Sequence, residues 1–445
     1  MKLRRRLIPV IATVALTIPL AACSGSSGSS NGTVNWWTWD DSQAAAYEQC
    51  IPAFEKANPG ITVKISQYNS DDYFTKLTTD FVGGTAPDAF MNSVQYLPAY
   101  ASQNQLEPLD DYIKKDNYNL NSFSSGVSDW QLDNQQYGLP MDWASTAVYY
   151  NKADIAAAGY TDKDLQNMTW NPQDGGTYEK IAAHMTIDNN GVRGDQPGFD
   201  KNHIATYGSG VVAANQMSGD VSWYPFAAST GWRMMDSQHP TQINYADPRF
   251  VQTMDWAKQM VAKGYAPSYN QFTLAHTEQL GSGKVAMTMG GSWEASTFAA
   301  LKGTKVGIAP TVLGPDGTTR RVFTNINGNV MWAGSKNKDA TWKWISYQES
   351  AACQTTAATY NASFFPSNPD AMTAMIAAEQ KKGVDLSVFS DQVQQGVLTE
   401  NPQYPNGAEM QSTMVPLFEA YLTGKRDDSV WSEAQSKSAQ IMAKK

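Results

Sequence analysis

Val285-Ala286-Met287-Thr288-Met289-Gly290-Gly291-Ser292-Trp293-Glu294-Ala295-Ser296-Thr297-Phe298 is the stretch that decides how the chain is read. Val285–Met289 reads as a short buried strand, and Gly290-Gly291 as a tight turn that a Cβ would obstruct. Ser292 is placed to cap a helix starting near Trp293. The first turn of such a helix has unpaired N–H groups and the positive end of the dipole. A Trp there is a broad apolar plate beside a ring of donors. Those features suit a sugar, which has an apolar C–H face and a rim of hydroxyls. A Trp after a strand also serves as core, so the rest of the chain has to decide.

Working outward, Val34–Thr38 reads as a strand and Ile61–Gln67 as a second. Between them a helix runs to Ala57, capped by Asp40 or Asp41 and stopped by Asn58-Pro59-Gly60. That βαβ unit implies a parallel sheet. Further motifs follow in order: Gly83-Gly84-Thr85-Ala86-Pro87-Asp88, Leu106-Glu107-Pro108-Leu109-Asp110, Tyr137-Gly138-Leu139-Pro140, Val148-Tyr149-Tyr150-Asn151-Lys152, and Phe364-Phe365-Pro366. Together with Gly283-Lys284-Val285-Ala286-Met287 and Gly291-Ser292-Trp293-Glu294, their order and spacing resemble extracellular solute-binding proteins of carbohydrate ABC importers, lipoprotein type. The resemblance covers about 34–435. Gly231-Trp232 departs from it where members often carry Gly-Gly, and Trp232 is either core or site.

The resemblance implies an α/β, two-lobed fold of the periplasmic-binding-protein type (type II). A ligand cleft lies between the lobes, with several hinge crossings. One lobe would hold 34–143 plus 329–362, the other 149–324 plus 363–445. It implies a monomer that captures an oligosaccharide and delivers it to the transmembrane permease of an ABC importer, with no cofactor and no metal. Ligands of open α/β sheets bind at the carboxyl ends of strands. That rule selects Trp39, Asp40, Asp41, Asn92, Gln95, Asp142, Trp143, Ser145, Trp293, Glu294, Asn327, Asn329 and Phe364. Trp223 and Tyr404 join them as aromatic candidates. Trp37 points away from Trp39 and reads as core. Asp40 or Asp41 either caps the helix or faces the ligand, and Asn327 and Asn329 either serve turns or the site.

Composition agrees with such a protein. The chain has 445 residues, enough for two lobes, with only 17% charged residues, and aromatics reach 11%. Lys2, Arg4, Arg5 and Arg6 precede an apolar run Leu7–Ala22, too short for a stable span, so 1–22 reads as a signal peptide. Leu20-Ala21-Ala22-Cys23 resembles the bacterial lipobox, which implies cleavage before Cys23 and its lipidation. Residues 23–33 are the lipidated Cys and a tether, of which the Ser/Gly-rich Ser24–Thr33 reaches at most about 35 Å. The expected location is the outer face of the cell membrane, held by lipid alone. Loss of the leader's four cations takes the net charge from −9 to −13, unsuited to nucleic acid.

His184, His203, His239 and His276 lie too far apart for a metal site read from spacing. Asp188-Asn189-Asn190-Gly191 and Asp316-Gly317 lack the twelve-residue calcium loop and read as turns. No Gly-x-Gly-x-x-Gly, Walker, His-Glu-x-x-His or Gly-x-Ser-x-Gly motif occurs. An anchored glycoside hydrolase stays as a rival, with Asp142 and Glu294 as its candidate carboxyl pair. A binder of peptides or polyamines is the other rival. Cys50 and Cys353 remain after Cys23, and disulfides persist outside the cytoplasm. The resemblance puts the first helix and a Trp342–Thr359 helix, which Asp339 can cap, on one lobe. The two cysteines are either bonded there or buried as free thiols.

Overall fold

The computed structural model describes residues 32–124, 126–236, 240–271, 275–361, 364–400 and 406–444. The leader, Cys23 and Tyr404 lie outside them. Strand β1 (Gly32–Thr38) and β2 (Ile61–Gln67) are parallel, and β3 (Ala89–Ser93) joins the other edge of β1. Helix α1 (Asp41–Glu48) and α2 (Ile51–Ala57) replace the single helix expected to reach Ala57. The cause is Pro52, which has no N–H and crowds the preceding turn. Gln49 and Cys50 instead bond back three residues, to the carbonyls of Ala46 and Tyr47.

A small hairpin, β4 (Gln131–Leu132) and β5 (Gln135–Gln136), precedes the long strand β6 (Gly138–Asn151). There follow β7 (Ile187–Asp188), β8 (Ile204–Ser209), β9 (Val285–Gly291), β10 (Val306–Ala309), β11 (Val322–Met331), β12 (Phe365–Pro366) and β13 (Leu398–Glu400). The main path of the sheet is β2-β1-β3-β11-β6-β9-β8-β7. The lower half of β6, up to Ser145, pairs with β11, and its upper half, Thr146–Tyr150, pairs with β9. Thus β6 and β11 run together through the middle of the molecule.

Cores lie on both sides of that pair. Trp36, Phe54, Met91 and Trp344 fill one beside β1–β3. Trp170, Phe226 and Trp256 fill another beside β8 and β9, next to a third built on Trp223, Trp232, Phe250 and Trp431. Trp232 is therefore core, and its indole donates to Asn244 O at 2.8 Å. A fourth cluster, with Trp37, Phe90, Trp143, Tyr149 and Phe365, spans the crossing.

Cys50 and Cys353 are joined by a disulfide, with Cα atoms 5.5 Å apart. The helix expected over Trp342–Thr359 is two, Lys338–Gln348 and Ala351–Tyr360. Ser350, not Asp339, caps the second, accepting from Cys353 N. Between them Glu349 turns inward to Asn329 and Gln354.

Candidate functional site

The stretch Val285–Phe298 is built differently from the expected strand–turn–helix. Gly290 and Gly291 remain in β9, opposite Ala147 and Thr146. Gly291 has φ −85°, which any residue adopts. Space explains both glycines instead. A Cβ on Gly290 would stand 2.9 Å from Phe298 and Tyr149, and one on Gly291 would stand 2.3 Å from the Trp293 ring. Ser292–Glu294 form a single 3-10 turn ahead of Ala295–Ala299, so Ser292 caps nothing. Glu294 does the capping, accepting from Gly291 N at 2.9 Å. Ser292 Oγ instead accepts from Ser145 N at 3.3 Å and ties this turn to the crossing strand.

Trp293 is half-buried, with its ring stacked near-parallel to Phe364 at a centroid distance of 6.4 Å. The structure thus brings together two aromatic candidates from distant parts of the chain. Beside them His276 Nδ1 lies 3.5 Å from Glu294 Oε1. Burial opposes protonation of His276, but Glu294 and Asp220 outweigh it and hold its pKa above the usual value. Neither His276 nor Asp220 was legible as a site residue, because their meeting depends on tertiary structure.

On the other side of the crossing, Trp39 is half-buried against Tyr73 and Phe74, at 5.3 Å from each ring. Phe74 stacks on Tyr96 at 4.0 Å, so the ends of β1 and β3 and the start of the Ser70–Gly83 helix share an aromatic surface. Asp40 caps α1 by accepting from Gln43 N at 2.7 Å, while Asp41 is exposed in the first turn. Burial lifts the Asp40 carboxyl above its usual range. Gln95 is half-buried next to Tyr96.

The remaining candidates are buried at or behind the crossing. Trp143 is 3% exposed and stacks on Phe365 at 4.6 Å, so it is core. Trp223 is likewise core: its indole donates to Gln216 O, and it packs on Phe250 and Phe418. Asn329 accepts from Trp36 Nε1 at 2.6 Å and donates to Glu349, which makes it internal wiring. Asn327 donates to Asp142 at 2.7 Å, and Asp142 also accepts from Gln43 Nε2. Ser145 donates to Gln392 Oε1, and Gln392 Nε2 donates to Thr146 O at 2.9 Å. Asn92 is buried, and neither of its amide atoms has a partner among the described residues. Asp142, the carboxyl a hydrolase would need opposite Glu294, is thus enclosed and engaged by two amides.

Asp188 and Asp316 accept backbone N–H groups within their own loops, as turn residues do.

A family profile described as bacterial extracellular solute-binding protein matches residues 49–412. The maltodextrin-binding protein of Bacillus subtilis is 26% identical over 437 residues, covering 96% of this chain and 94% of that protein. The galactooligosaccharide-binding protein of the same organism is 24% identical over 351 residues, covering 76% and 75%. An ABC substrate-binding protein of Listeria monocytogenes, solved in complex with cycloalternan, superposes with a TM-score of 0.77 at 20% identity, covering 93% of this chain and 100% of that one. The α/β architecture is therefore that of two-lobed binding proteins, and the family and these neighbours are binding proteins rather than enzymes. With the profile spanning most of its length, the chain belongs to the bacterial extracellular solute-binding protein family.

Proposed function

We propose that this protein captures an oligosaccharide outside the cell, in a cleft between two lobes, and hands it to the permease of an ABC importer. The observation that carries this reading is the near-parallel Trp293–Phe364 pair, half-buried beside Glu294. Aromatic faces stack on the C–H faces of sugar rings, and carboxylates and amides take the hydroxyls. Trp39, Asp40, Asp41 and Gln95 would line the opposite wall, being the candidates there that keep some exposure. The sugars bound by the two Bacillus subtilis relatives favour this class of ligand.

In this reading the lobes are 34–143 plus 329–362, and 149–324 plus 363–445, with β6 and β11 as two of the crossings. The separate cores on either side of those strands support it. The protein acts as a monomer, without cofactor and without turnover. The leader 1–22 is removed, and lipid on Cys23 holds it at the membrane through a tether that ends before Gly32 rather than at residue 33, because Gly32 and Thr33 already belong to β1. Cys23→Ser is then expected in the medium or unprocessed. A variant kept in the membrane fraction at mature mass would refute the anchor.

Calorimetric titration with maltodextrins, galactooligosaccharides and chitooligosaccharides tests the binding claim. At least one series should bind saturably and be recovered intact. Release of shorter sugars would favour a hydrolase. Binding only of peptides or polyamines would replace the sugar.

A further inference from the structure

Two buried carboxyl groups lie at the crossing without a cation. Asp142 on β6 is 2% exposed, and Glu349 is 1% exposed. Among the described residues neither takes part in an ion pair. The titratable groups facing Asp142 are Asp40 and Tyr47 from α1 and its cap, and Glu349. β11 and β12, which pair with it at Asn327 and Pro366, carry no titratable side chain. Enclosing an ionised carboxylate among neutral and like-charged groups is costly.

The orientation of the neighbouring amides separates the two acids. Glu349 accepts from Asn329 Nδ2 and Gln354 Nε2. Both amides are anchored: Trp36 Nε1 donates to Asn329 Oδ1, and Asn368 N donates to Gln354 Oε1 at 2.8 Å. Neither can turn round without losing that bond, so both oxygens of Glu349 remain acceptors, even though burial pushes its carboxyl well above the usual range as well. Asp142 is anchored on one side only. Ser93 Oγ donates to Asn325 Oδ1, Asn325 Nδ2 to Asn327 Oδ1, and Asn327 Nδ2 to Asp142 Oδ1, at 3.0, 3.0 and 2.7 Å. On its other side Gln43 Nε2 lies 2.5 Å from Asp142 Oδ2, while Gln43 Oε1 has no partner among the described residues. The two ends of an amide have the same shape. Exchanging them at Gln43 breaks no other contact among the described residues, moves the unpaired position from Oε1 to Nε2, and turns an acceptor toward Asp142.

We propose that Asp142 is a proton-binding positioning residue: as a neutral acid it accepts from Asn327 and donates through Oδ2–H to Gln43 Oε1. The four donors from Ser93 to Asp142 then point one way, and the chain ends on Gln43, whose backbone N–H meets the capping Asp40. Burial supports this, pushing the Asp142 carboxyl up to about 7 against the hydrogen bonds from Asn327 and Gln43. A raised carboxyl stabilises the fold only while protonated. Its contribution is full below the unfolded value of about 3.9 and is lost as pH rises through about 7. The inference does not depend on what the cleft holds.

Asp142→Asn reproduces both bonds at every pH, because its Oδ1 accepts and its Nδ2 donates. Asp142→Leu makes neither. Melting temperatures of the ligand-free protein between pH 5 and pH 9 distinguish the cases. The advantage of Asp142→Asn over wild type should grow by about 3 °C or more as pH rises. Asp142→Leu should be the least stable at pH 5. Parallel curves for wild type and Asp142→Asn would overturn the proposal, as would an Asn variant as unstable as the Leu variant. If neither variant folds, the carboxyl carbon shift of Asp142 in the wild type decides. A midpoint near 7 supports the proposal, and one in the ordinary carboxylate range refutes it.

Discussion

At the scale of single residues, Trp293 and Gly291 act as a unit. The ring of Trp293 occupies the space that a side chain on Gly291 would need. Trp293→Ala should weaken oligosaccharide binding by about 1–2 kcal/mol, the worth of an aromatic contact and its buried area. Gly291→Ala should cost a similar amount by displacing the ring. Both should leave the ligand-free melting temperature nearly unchanged. A large loss of stability with affinity retained would assign Trp293 to the core. Trp293 was singled out in the sequence because the motif around it resembles a family position, whereas the core roles of Trp143 and Trp223 were not legible. Aromatic residues near strand ends look alike in sequence, and only the partners Phe365 for one and Phe250 with Phe418 for the other reveal a core role. Gln43 and Gln392 were also invisible, since their meaning lies in contacts far along the chain, with Asp142 and Ser145.

At the scale of elements, the disulfide is the strongest tie between distant segments. It joins the α1–α2 break to the helix Ala351–Tyr360 across 303 residues of sequence. Closing so long a loop restricts the unfolded chain, so replacing both cysteines by serine should cost about 2–5 kcal/mol in urea unfolding. Thiol titration of the unfolded, unreduced wild type should find no reactive pair. Two reactive thiols would contradict the bond. The break that places Cys50 was written in the sequence as Pro52. The break at Glu349 was not, because what draws Glu349 inward is Asn329 on a strand and Gln354 on the next helix. The first βαβ unit was legible for the opposite reason: its period-2 strands and its Asn58-Pro59-Gly60 stop are local signals.

At the scale of the whole molecule, β6 and β11 tie the two sides of the sheet together. The fold was readable from the order of many weak motifs, since each marks one element of a fixed topology. The wall of the cleft was harder to read. A strand with one wet face alternates, but β6 is buried along all but its last residue, so alternation could not separate Asp142, Trp143 and Ser145 from true ligand contacts. Paired strands passing between two cores form a hinge only if the cores move as units. Small-angle scattering of the protein with and without a saturating, calorimetrically verified oligosaccharide tests this most directly. A smaller radius of gyration is expected with ligand, as the lobes close over the Trp293 and Trp39 walls. An unchanged radius at saturation would contradict it.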